Sequence, residues 1–174
     1  MAAALVVAGC GGSSASSSGV SASSYVKSIC TAVGSFRTDV QNKISSLGAA
    51  HISTPAEGKK ALQDFLSAAS TSADTAVTKL QTAGSPNVNN GKQISASLTT
   101  AFNQLSSALK QAETSTNSLS TSSKTAFAAG AKTIQTNIQN SIQGMLSSLG
   151  ALKSQALASA AKKEPACTSL STTG

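Results

Sequence analysis

The sequence predicts an all-α protein: an antiparallel up-down-up-down four-helix bundle with a bent or broken fourth helix. Three observations carry this. Apolar residues recur at intervals of three and four through four successive segments. The breaks between those segments are short and rich in Gly, Ser, Pro and Asn, which leaves no room for a crossover connection. No segment alternates with period two, so no sheet is expected.

Gly11 to Ser24, GGSSASSSGVSASS, holds too little apolar surface to offset chain entropy and is expected to be a flexible tether. In helix one, Val26, Ile29, Val33, Phe36, Val40, Ile44 and Leu47 fall on one stripe, and Gly48 ends it. The start of helix two is the clearest local signal in the chain. Thr54-Pro55-Ala56-Glu57 sets a threonine N-cap, a proline at the first helical position and a glutamate three residues after the cap. The stripe that follows is Leu62, Phe65, Ala69, Ala73, Ala76 and Leu80, and Gly84-Ser85-Pro86-Asn87 stops it. Helix three begins after the loop to Gly91. It carries Ile94, Leu98, Ala101, Phe102, Leu105, Ala108, Leu109 and Ala112, and frays around Asn117 and Leu119. A fourth pattern starts after Ser122 or Ser123 and runs Phe127, Ala131, Ile134, Ile138, Ile142, Met145, Leu149, Leu152 and Ala156, with Pro165 beyond it.

The first ten residues, MAAALVVAGC, end in Val7-Ala8-Gly9-Cys10, a short apolar run closed by small residues and a cysteine. This resembles the lipobox of bacterial lipoproteins, which implies that Cys10 becomes an acylated N-terminus. Met1 to Gly9 contains no Lys or Arg, so it reads as a partial signal peptide whose start lies further upstream or was trimmed. The expected organisation is a partial signal peptide over 1–9, the lipidated cysteine and tether over 10–24, and a helical domain over 25–174. With Cys10 taken by lipid, Cys30 and Cys167 remain as one pair in an exported protein, where disulfides persist. The alternative, two free thiols in a reducing compartment, requires the lipobox reading to fail as well.

Taking the loops as hairpin turns puts Cys30 level with Ala73, Ala101 and Ser141, and puts Phe36 and Phe65 in one core layer. Helix four then fills the bundle at about Leu149, yet its pattern continues to about Ala161. At a rise of 1.5 Å per residue a straight continuation would leave the bundle, and Cys167 could not return to Cys30. Gly144 and Gly150 are the natural places for a bend. Gly150 is favoured because the bundle ends there, and a short terminal helix over Ala151 to Ala161 is expected to cross the bundle end.

The chain of 174 residues fits one domain, with no tryptophan, one tyrosine and four phenylalanines, so its core is built mainly from Leu, Ile, Val and Ala. Beyond the N-terminus no stretch approaches the eighteen or so apolar residues of a membrane-spanning helix. The formal charge of +7 would draw a body held at a membrane toward anionic lipid or anionic envelope polymer. It is not a nucleic-acid signal, since the basic residues are scattered, with Lys59-Lys60 and Lys162-Lys163 as the doublets, and no aromatic residues interleave for base stacking.

Chemistry-bearing residues are sparse. His51 is the single histidine, in the loop before Thr54, with no second histidine to join it in a metal site. The acids are Asp39, Glu57, Asp64, Asp74, Glu113 and Glu164, and no Glu-x-x-His pair exists for a di-iron bundle. Asp39 and Asp64 offer at most two exposed carboxylates. The serines lack a base in triad spacing, and there is no GxxxxGK or GxGxxG loop. No enzyme activity, catalytic residue, metal or cofactor is expected.

Taken together, Val7-Ala8-Gly9-Cys10, the Gly and Ser tether, Cys30 early in helix one, the Gly-Ser-Pro-Asn-Val turn and Pro165-Ala166-Cys167 resemble the small exported helical lipoproteins of actinobacteria. The resemblance implies a location, the extracytoplasmic face of the cell membrane with acyl chains on Cys10, and no established activity. Two functions are expected to compete. One is a non-catalytic binding module for a protein or an anionic envelope polymer. The other is a carrier of a small apolar ligand in the bundle core, for which a cavity lined by Phe36, Phe65 and Phe102 would be the sign.

Overall fold

The computed structural model describes residues 19–49, 51–150 and 154–171. The described chain is all-α. Four long helices, α1 (Ala22–Ala49), α2 (Pro55–Ala83), α3 (Gly91–Asn117) and α4 (Lys124–Gly150), are followed by the short α5 (Gln155–Lys163) and α6 (Pro165–Ser171). Each start has a local cause. Ser21 Oγ accepts the Ser24 amide at the head of α1, and Ser123 Oγ accepts the Ala126 amide at the head of α4. At α2 the capping box forms as expected: Thr54 Oγ1 accepts the Glu57 amide, and Glu57 Oε2 accepts the amides of Ser53 and Thr54. Those bonds hold the Glu57 carboxyl below its ordinary pKa.

Neighbouring long helices run in opposite directions. Ser72 on α2 donates to Asp39 on α1, and Gln63 at the start of α2 donates to Asn117 at the end of α3. The core between them is made of small and aliphatic side chains. Leu66, Ala69 and Ala73 of α2, Leu105, Leu109 and Ala112 of α3 and Ile134 of α4 form one buried cluster, against which Phe36, Val40, Ile138 and Ile142 pack. A second cluster joins Ala32, Ala76, Val77, Leu80 and Phe102. Among the described residues α1 and α4 do not come close along their backbones. The free flank of α1 is covered instead by α5 and α6.

Four expectations are corrected. First, Cys30 is not level with Ala73. Lys27 and Thr31 lie beside Thr78, Lys79 and Thr82, about two turns further along α2. The reason is the loop before α2, which runs extended at Thr54 (φ −123°, ψ 153°) because Glu57 binds two of its amides. Second, Phe36 does not share a layer with Phe65. It meets Phe102 of α3 edge to face, with ring centroids 6.1 Å apart. Third, Ile44 is 53 % exposed, so the stripe of α1 stops short of its end. Fourth, the tether does not run to Ser24. The chain is already docked at Val20, whose amide donates to Ser85 O at 2.9 Å and whose carbonyl accepts the Asn87 amide at 2.7 Å.

That last docking explains one glycine: a Cβ on Gly19 would lie 2.9 Å from Ser85 O, so the incoming chain approaches the α2–α3 loop as only bare backbone can. Gly91 serves the loop itself, since a Cβ there would lie 1.9 Å from Pro86 O at the turn into α3. The fourth helix is broken as expected. α4 ends at Gly150 and a separate helix begins at Gln155 rather than Ala151. Residues 151–153 lie outside the described residues, as do the side chains of Met145 and Leu149 and the whole of Leu152.

Candidate functional site

α5 and α6 are too short to hold themselves helical in water, and α1 supplies what fixes them. Cys30, two turns into α1, is bonded to Cys167 of α6, with an S–S distance of 1.99 Å and Cα atoms 5.1 Å apart. Further along α1, Arg37 Nη1 donates to Leu170 O at 2.9 Å. Ser154 caps α5 by accepting the Leu157 amide, and the Cys167 amide donates to Glu164 O at the turn into α6.

Held this way, α5 lies against the first half of α1, and an open cleft of about 630 Å³ remains between them at the bundle end. Tyr25, Val26, Ile29 and Cys30 of α1 form one wall and Ile94 of α3 its floor. Leu157, Ala158 and Ala161 of α5 form the other wall, and Ser154 and Gln155 supply the polar lining. Tyr25 is 1 % exposed. Its hydroxyl is hydrogen-bonded to the Ser95 side chain, which itself donates to Gly84 O at 2.7 Å. Burial raises the Tyr25 pKa above its ordinary value, and the Ser95 bond offsets part of that rise. The phenol is therefore neutral throughout the physiological range, and the cleft presents an apolar wall with a satisfied polar tip.

The other chemistry-bearing residues stay apart. His51 is exposed in its loop. Asp39 accepts from Ser72, while Asp64 pairs with Lys60 at 3.1 Å on its own helix. Asp74 pairs with Lys110 at 2.8 Å and accepts from Ser106, and these bonds lower its pKa. Among the described residues no three His, Cys, Asp or Glu side chains gather as metal ligands, and no helix is long and apolar enough to cross a membrane. Cys10 lies outside the described residues.

Of the phenylalanines named for a core cavity, Phe36 meets Phe102 edge to face, and Phe65 packs against the larger core cluster beside Lys43, Leu47 and Asp64. The cleft lies apart from them, at the bundle end. Its residues are partly legible in the sequence, since Tyr25, Ile29, Ala32 and Phe36 follow one another at helical spacing as a second stripe on α1. Leu157, Ala158 and Ala161 likewise share a face, but nothing in their spacing says that α5 leaves the line of α4. Comparison with known protein families, curated proteins and solved structures finds no match for the chain.

Proposed function

We propose that this protein is a non-catalytic binding module held at the extracytoplasmic face of the cell membrane by acyl chains on Cys10, and that the cleft between α1, α3 and α5 is its binding site for an apolar group. The cleft is the observation that carries the reading. At about 630 Å³ it falls in the range of small-ligand sites, roughly 300 to 1,000 Å³, and its walls are aliphatic and aromatic with few polar groups. The carrier function expected of the bundle core thus moves to the bundle end. The Cys30–Cys167 bridge supports export, because such bonds persist in oxidising compartments.

The anchor and the cleft are tested separately. Cells expressing Cys10→Ala are expected to release the protein from the membrane fraction, and a variant that stays bound would sink the anchor. For the cleft, a fluorescent fatty acid is expected to bind saturably to the purified protein. Ala158→Trp, which fills the space beneath α5, is expected to weaken that binding at least about tenfold with the helical circular dichroism unchanged. Undiminished binding by this variant would contradict the site.

A further inference from the structure

The ends of the bundle differ in charge, and the chain from Cys10 enters at one of them. Gly19 and Val20 dock on the α2–α3 loop, beside the first turns of α1 and α3. The same end carries the cleft. It also carries exposed Lys27, Lys92, Lys162 and Lys163 against a single carboxylate, Glu164, among the described residues. The other acids lie along the middle and far end of the long helices. There Asp39, Glu57, Asp64 and Asp74 are each bonded to a neighbour.

Reach decides which end meets the bilayer. From Cys10 to Gly19 the chain spans at most about 30 Å when fully extended. The 28 residues of α1 are about 42 Å long. A body tied at Gly19 therefore cannot present its far end head-on to the membrane that holds Cys10, whereas the end with the cleft and the lysines lies within reach.

We infer that this end docks on an anionic phospholipid bilayer, with the lysines on the headgroups and one lipid acyl chain entering the cleft against Tyr25 and Leu157. The inference rests on the anchored-module reading and names its ligand. Both parts of the site match one molecule. An anionic phospholipid offers a negative head to lysines on a long flexible stem and an apolar tail to a cleft whose polar groups are few.

The test uses the full chain with Cys10→Ala, so that no covalent lipid contributes. It is expected to sediment with phosphatidylglycerol-containing vesicles and not with pure phosphatidylcholine, and to dissociate as salt rises. The triple variant Lys27→Glu, Lys92→Glu, Lys162→Glu is expected to lose about tenfold or more in vesicle affinity. The triple variant Lys43→Glu, Lys124→Glu, Lys132→Glu, with the same net charge, is expected to keep most of it. Because Tyr25 is the single tyrosine and there is no tryptophan, vesicles whose lipids carry brominated acyl chains are expected to quench the intrinsic fluorescence. Equal losses from the two triple variants, sedimentation without quenching, or binding to a soluble polyphosphate with none to vesicles would each overturn the inference. If the fatty-acid probe still binds the cleft in that event, the binding-module reading stands without it; if the probe does not bind either, both fall.

Discussion

Replacing Cys30 and Cys167 together by alanine is expected to lower stability by about 2 to 5 kcal/mol. The bridge joins residues 137 positions apart, and closing a loop of that length is worth about 5 kcal/mol in chain entropy, of which real bridges often deliver less. In a body of this size each kcal/mol moves the melting temperature by about 2 to 4 °C. Thermal unfolding by circular dichroism should therefore shift down by about 4 to 20 °C. The loss should also have a place. Among the described residues α5 and α6 pack on α1 and on each other alone, so amide exchange over 155–171 should rise well before that of α2 and α3. A melting temperature within about 1 °C of the parent would show that the terminal helices do not depend on the bridge.

Phe102→Ala is expected to cost about 3 to 5 kcal/mol, the range for removing a buried aromatic side chain. Phe102 is 4 % exposed, belongs to the cluster of Ala32, Ala76, Val77 and Leu80, and meets Phe36 edge to face. Surrounding alanines cannot collapse into the space it would leave. Phe65→Ala removes a half-buried ring on the α1–α2 surface and should cost distinctly less. A double-mutant cycle between Phe36 and Phe102 should show coupling of about 0.5 to 1.5 kcal/mol. Urea unfolding of the single variants checks the order, and a larger loss for Phe65→Ala would place the aromatic layer where the hairpin register puts it.

The difference between those two registers shows how far the sequence is legible. Local signals suffice wherever a few adjacent residues carry the physics: the Thr54 to Glu57 capping box, the stop at Gly84, the start after Ser123 and the stripe of α3 from Ile94 to Ala112. The pairing of Cys30 with Cys167 and the break between α4 and α5 are legible together, because chain length and one covalent bond constrain each other. What spacing does not encode is the path of a loop. Glu57 binds the amides of Ser53 and Thr54 and holds the chain extended at Thr54, so α2 begins beyond the end of α1 and the α1–α2 level inferred from a hairpin slips. The cleft is hidden for a similar reason. Tyr25 and Leu157 are far apart along the chain, and only the packing of α5 on α1 brings them to one site.

The claim that this cleft is a binding site is tested most directly by locating a ligand in it. Isotope-labelled protein would be titrated with a spin-labelled stearate, and the loss of amide signal would be read residue by residue. Broadening concentrated at Tyr25, Val26, Ile29, Ile94, Leu157 and Ala158, and abolished by Ala158→Trp, is the predicted result. Broadening centred on Leu66, Leu105 and Phe102 in the bundle core, or spread evenly over the surface, would contradict it.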